Sequence, residues 1–271
     1  GATYLWKTGA ITQTITVSTA DTFWVDVTDG NGCINRDSII VTLNPLPIVN
    51  LGNDTAICQG ATLILDAGNP GATYLWKTGA IIQTLSVSTA DTFWVDVTDT
   101  NGCVNRDSII VTLNPLPVVN LGNDTAICQG SALTLDAGNP GATYFWKTTE
   151  TTQTISVSTA DTFWVDVTDI NGCANRDSII VTTNPLPVVN LGNDTAICQG
   201  FTLTLNAGNL GATYFWKTLE ITQTISVSTT DTFWVDVTDT NACVNRDSII
   251  VTINPLPVVN LGNDTAICQG D

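Results

Sequence analysis

The sequence repeats itself with a period of 70 residues that never slips. "VTLNPLPVVNLGNDTAICQG" fills residues 111–130, and close copies of it start at residues 41, 181 and 251. One tryptophan recurs at Trp6, Trp76, Trp146 and Trp216, and a second at Trp24, Trp94, Trp164 and Trp234. A fixed period means one folding unit made again and again rather than one large core. The sequence therefore predicts an array of three whole units, residues 45–114, 115–184 and 185–254. Partial units, residues 1–44 and 255–271, flank them, so the chain reads as a window on a longer array.

Within a unit the patterns are those of β-structure. In "TDTFWVDVTD" (90–99) Phe93, Val95 and Val97 alternate with Thr92, Trp94, Asp96 and Thr98, the period of a half-buried strand. Residues 61–67, 72–78, 83–89 and 107–113 read the same way, and their Thr, Val, Ile and aromatic content suits a pleated sheet. Turn residues separate them, in "AGNPG" (67–71), "TNG" (100–102) and "CQG" (58–60). No stretch carries a helical period. Six or seven short strands in 70 residues predict an all-β unit, a small sandwich of two antiparallel sheets.

The unit boundaries fall at "NPLP", residues 44–47, 114–117, 184–187 and 254–257. Paired prolines fix φ and hold the residue before each of them out of the helical region. The joint is therefore expected to be stiff and extended, and identical joints between identical units build a regular rod or superhelix.

Eight cysteines, at 33, 58, 103, 128, 173, 198, 243 and 268, alternate gaps of 25 and 45 residues. Bonds inside each unit would join Cys58 to Cys103, Cys128 to Cys173 and Cys198 to Cys243. Each would close a loop worth roughly 4 kcal/mol by chain entropy, useful where a core is this small. The alternative joins Cys33 to Cys58 across the joint, and an extended linker would hold those two apart. On the first pattern Cys33 and Cys268 would pair with residues outside the window. With no His and no Cys-x-x-Cys pair a metal site is disfavoured, and disulfides point to an oxidising, extracellular setting.

Alternation also assigns an outer face. If Tyr74 and Trp76 point inward, Leu75 points outward. If Phe93, Val95 and Val97 point inward, Trp94 points outward, and with neighbouring strands Leu75, Trp94 and Ile110 lie together. Later units place Phe145 beside Trp164 and Phe215 beside Trp234, and the partial first unit contributes Trp24. Such a pair can simply shield its own sheet. Recurring once per unit along a rod, it is also a surface through which parallel chains could pack side by side.

The remaining features mostly exclude. Twenty-five acidic against eight basic residues and no His give a net charge of −17, which leaves no footprint for nucleic acid. No apolar run is long enough to span a bilayer and the first residues do not read as a secretion signal. The acid excess suits a solvated surface, with calcium as the sharper reading: Asp96, Asp99 and Asn101 are oxygen donors, although their spacing is not that of an EF-hand loop. A turn with Asn101-Gly102 at positive φ explains the same residues, and Asn241-Ala242 stands there in the last unit. "NDT" at 53–55 is formally a glycosylation sequon. No catalytic constellation is present, so the chain is read as non-enzymatic and without a cofactor.

"LGNDTAIC", "LDAGNPGATYLWKTG", "TFWVDVTDTNGC" and "DSIIVTL" together resemble the immunoglobulin-like, PKD-like repeats of giant cell-surface and secreted proteins of Bacteroidota. The resemblance spans every unit; Leu210 in place of Pro70 and Asn206 in place of Asp66 depart from it. It implies an extracellular tandem array of β-sandwiches exported by type IX secretion, found in adhesins and surface filaments such as grappling-hook fibres. It also implies O-glycans on Asp-Thr/Ser-apolar triplets, here Thr55 and Ser108. The function expected is the shaft of an extracellular fibre whose partners are other copies of the chain. The alternatives are an adhesive array holding polysaccharide or a cell surface through exposed aromatics, and a spacer for an enzyme elsewhere.

Overall fold

A computed structural model describes residues 1–266 and Gln269, and among them there is no helix. Two compact units form, one of residues 1–116 and one beginning at Pro117. In the first, strands β1 (Thr3–Trp6), β2 (Asp21–Thr28) and β3 (Ile34–Val41) make a three-stranded antiparallel sheet. After them comes a complete module: β4 (Thr55–Cys58), β5 (Leu63–Asp66), β6 (Thr73–Trp76), β7 (Thr84–Val87), β8 (Asp91–Thr98) and β9 (Val104–Asn114). Its sheets are β4-β9-β8-β6 and β5-β7.

The second unit repeats this module twice. The first copy is β10 (Thr125–Cys128), β11 (Leu133–Asp136), β12 (Thr143–Trp146), β13 (Thr154–Val157), β14 (Asp161–Thr168) and β15 (Ala174–Asn184). The second is β16 (Thr195–Cys198), β17 (Leu203–Asn206), β18 (Thr213–Trp216), β19 (Thr224–Val227), β20 (Asp231–Thr238) and β21 (Val244–Asn254). The chain is thus all-β, with tandem immunoglobulin-like sandwiches.

Period-2 patterning explains each core. Phe93, Val95 and Val97 of β8 and Ile109 and Val111 of β9 face Leu65 and Val87 of the small sheet, with Trp76 buried among them. A buried tryptophan on the third strand fits the immunoglobulin pattern, whereas an inter-sheet disulfide in this core is absent. The Trp76 indole N–H donates to Ile82 O at 2.8 Å, so burial leaves no polar atom unpaired. Truncating such a side chain to alanine costs about 3–5 kcal/mol. In the three-stranded sheet no second layer covers β3: Ile39 is 63% exposed, against 3% for its equivalent Ile109.

One strand of each complete module departs from the expected all-antiparallel sheets. β4 runs parallel to the end of β9, with Thr55 opposite Val111 and Cys58 opposite Asn114. The rest of that edge is covered by the segment leading into β4. Asn105 Nδ2 donates to Pro47 O (2.9 Å), Leu51 N–H to Asp107 Oδ2 (2.7 Å), and Ile110 N–H to Asp54 Oδ1 (2.8 Å). Side chains thus satisfy an edge that would otherwise invite another strand.

The turns tolerate the sequence departures. Asn206 Oδ1 accepts the Gly208 N–H as Asp66 accepts that of Gly68, and Leu210 projects into solvent. Ala242, however, sits at φ 62°, where the equivalent Gly172 has φ 79°, and a Cβ there crowds its own backbone. Ala242→Gly is expected to stabilise the last module by about 1 kcal/mol, read as a higher denaturation midpoint of the whole chain; an unchanged midpoint would show that the turn carries no strain.

Candidate functional site

Two features recur with the modules and face outward from them: the joint, and the outer face of the large sheet. In the second unit the joint begins where β15 ends. Gln129 N–H donates to Asn184 O at 2.8 Å, so the end of β10 is fixed beside the start of the linker. The following module then grips the linker. Asn245 Nδ2 donates to Pro187 O (2.9 Å), Asn209 Nδ2 to Val188 O (2.7 Å), and Leu191 N–H to Asp247 Oδ2 (2.7 Å). Pro187 is buried by these contacts.

Across this joint Cys128 forms a disulfide with Cys243, their Cα atoms 5.5 Å apart and 115 residues apart in sequence. Cys243 is presented by a turn in which Asp239 Oδ1 accepts the N–H groups of Asn241 (2.8 Å) and Cys243 (2.9 Å). The bridge overturns the expected bonds within modules. Cys128 is not joined to Cys173, Cys198 is free rather than joined to Cys243, and Cys103 is free rather than joined to Cys58. The alternative Cys33–Cys58 bond is not formed either, since Cys33 is free. Cys58 and Cys173 are themselves disulfide-bonded.

The reason is distance. Cys128 lies opposite Asn184 at one end of β15, and Cys173 precedes Ala174 at the other. The strand between them spans about 33 Å at ~3.3 Å per residue, whereas bonded cysteines need Cα atoms within about 7 Å. Free Cys33, Cys103 and Cys198 share one property: none has another cysteine 115 residues away in this chain. Cys268 lies outside the described residues.

The outer face holds the residues that alternation placed there. Leu75 is 48% exposed and Phe145 50%, and the Phe145 and Phe215 rings lie 6.0 Å from those of Trp164 and Trp234. Ile110, Ile180 and Ile250 are exposed beside them. The sequence reading missed the group that covers the tryptophan. The Arg106 guanidinium lies 3.8 Å above the Trp94 ring, and Arg36, Arg176 and Arg246 repeat this over Trp24, Trp164 and Trp234. Each arginine is held by a two-point ion pair, Arg106 Nε and Nη2 each 2.6 Å from an Asp96 oxygen. The signal was in the hairpin: Asp96 and Arg106 are equidistant from the turn, hence directly opposite.

The calcium donors have other partners. Both Asp96 oxygens face Arg106, and Asp99 Oδ1 accepts the N–H groups of Asn101 and Cys103 at 2.8 Å. Asp99 and Asn101 are thus turn residues, and among the described residues no group of three or more His, Cys, Asp or Glu is gathered to hold a metal. Of the glycosylation candidates, Ser108 is exposed opposite Trp94 and Thr55 is half-buried in β4. No helix among the described residues is long and apolar enough to cross a membrane.

No family model matches the chain, and no curated protein matches it. Among solved structures it is similar to an I-band fragment of titin, at 11% identity over 78% of this chain and 100% of that one, with a TM-score of 0.37. It is also similar to immunoglobulin domains 1–4 of Sidekick-1 (11%, 93% and 90%, TM-score 0.27) and to the insect immune protein hemolin (11%, 94% and 92%, TM-score 0.28). Each of these is a string of domains, and at such scores the likeness carries no functional argument.

This geometry makes two outcomes testable. A protease site engineered into the Asn184–Pro187 linker is expected to leave the two halves joined on a denaturing gel until reductant is added; bonds confined to modules would let them separate at once. The second concerns acid. Arg106 holds the Asp96 carboxyl below its ordinary range, Lys77 does so for Asp91, and the Gly68 N–H with Gln83 does so for Asp66. A carboxyl depressed in the folded state contributes stability that is complete above its unfolded value, about pH 4, and is lost as pH falls through the folded value. Thermal midpoints should therefore be level from neutrality to about pH 5 and fall below it, with a shallower fall for Asp→Asn at positions 96, 166 and 236. An equal fall in that variant would remove the ion pairs as its cause.

Proposed function

We propose that the chain is part of the shaft of a large extracellular fibre or adhesin, in which several copies pack side by side through the outer sheet face. The observation that carries this reading is the Cys128–Cys243 bridge, which gives consecutive modules a second covalent connection beside the linker. A doubled connection serves the transmission of force and orientation, and contributes nothing to catalysis or to holding a small ligand. Disulfides form and persist in oxidising surroundings, which supports an extracellular location. The resemblance to PKD-like repeats of Bacteroidota surface proteins supports a secreted filament of the grappling-hook kind, with type IX export and Ser108 as the more accessible of its two glycan positions.

The occupant of the outer face is a second copy of this chain. Phe145, Ile180 and their equivalents recur at the module spacing, so two parallel chains would meet the same residues at every step. A sugar-binding role for the tryptophans is less well supported, because the Arg176 guanidinium already occupies the face of the Trp164 ring that a sugar would stack on.

Sedimentation and negative-stain imaging of the purified chain test the reading. Multi-stranded particles are expected, and serine at Phe145, Ile180, Phe215 and Ile250, which leaves the ion pairs and cores intact, should yield single threads with an unchanged circular dichroism spectrum. Single threads from the unaltered chain at every concentration would overturn lateral packing, and retention on a polysaccharide column lost in the same variant would favour the adhesive alternative.

A further inference from the structure

We infer that side-by-side packing of copies of this chain is gated by ionic strength: the outer sheet face is charge-balanced and apolar, and a row of acids along its rim holds two copies apart until salt screens them. The inference rests on the packing proposed above and adds what controls it.

Every basic side chain is already committed within its own chain. The eight lysines and arginines form eight ion pairs, each with one aspartate, as Arg106 does with Asp96 and Lys77 with Asp91. The remaining acids carry the net charge of −17 and have no basic side chain left to neutralise them. Many interfaces gain from opposite charges on the two partners. A second copy of this chain brings only more acid, and an arginine could serve it only by leaving its own aspartate. Added salt therefore acts on this contact with one sign.

On the outer face the charges cancel. Arg106 lies over the Trp94 ring and is held at two points by Asp96. Unbalanced charge begins at the rim. Asp54 is exposed at the sheet edge, where its Oδ1 accepts the Ile110 N–H at 2.8 Å, and Asp124 and Asp194 do the same for Ile180 and Ile250 at 2.9 Å. An anion thus stands beside the very isoleucine that packing would cover, once in every complete module. Two copies meeting through this face bring those rows together at each step.

The ranges of the two forces differ. Apolar contact acts only when side chains touch, within about 4.5 Å. Repulsion between exposed charges reaches about 30 Å at 0.01 M ionic strength but only about 8 Å at 0.15 M. At low salt the rows repel long before the aromatic and isoleucine side chains meet, whereas screening lets them close.

Sedimentation of the full chain across a sodium chloride series from about 0.01 M to about 0.5 M tests this. Single threads are expected at the low end, and the association constant should rise by about tenfold or more across the series. Concentrated salt also favours apolar burial, so the same series is run on Asp→Asn at positions 54, 124 and 194, which keeps an oxygen to accept each isoleucine N–H and removes only charge. That variant should associate at lower salt and with a shallower dependence; a dependence as steep as that of the unaltered chain would overturn the inference. Circular dichroism checks that the variant folds, and the series on the unaltered chain decides alone if it does not. Association that is independent of salt, or that weakens as salt rises, would overturn the gating and leave the packing standing. No association at any ionic strength would overturn both.

Discussion

The parallel pairing of a four-residue strand with the end of the module's longest strand decides where the cysteines sit and how the sheet edge is closed. Because β10 lies beside the last four residues of β15, one cysteine of each module sits at its exit. The other, ahead of the first residue of β15, sits at its entrance. In the second unit Cys128 and Cys173 thus lie too far apart to bond, and Cys128 meets Cys243 of the following module instead. The same pairing closes the sheet edge, with Asp124 Oδ1 accepting the Ile180 N–H at 2.9 Å just before the backbone ladder begins.

Strand positions were legible because one face of every strand is buried, and a half-buried strand writes its period into the sequence. Residues 72–78 and 90–99 contain β6 and β8 as expected, and the inward set Trp76, Phe93, Val95 and Val97 is the core. The four residues of β4 were not legible. "TAIC" is too short to display a period, and its partner runs parallel to it, so no hairpin turn announces the pairing. Cysteine connectivity failed for the same reason: spacing along the chain says nothing about which end of a sandwich a residue occupies.

The outer face was legible in its apolar members and not in its charged ones. Alternation puts Trp94 and Leu75 outward, but a stripe of exposed aromatics is only half of what is there. Arginine lies over each ring and is pinned by an aspartate of the same strand as the tryptophan, which makes the surface amphipathic rather than greasy. Phe145, Phe215 and the isoleucines that flank the stack remain open, and they are the part of the face suited to contact with another chain. Asp96 belongs to this stack and Asp99 to the turn that presents a cysteine, so much of the acidic character that suggested calcium serves local architecture.

Sulfur connectivity between modules underlies the doubled joint, and peptide mapping of unreduced protein reads it directly. Trypsin cuts after Lys147, Arg176, Lys217 and Arg246, which places Cys128, Cys173, Cys198 and Cys243 in four different peptides. A linked pair carrying Cys128 and Cys243 is the predicted product. Recovery of Cys128 joined to Cys173, or of Cys128 and Cys243 as free thiols, would contradict it.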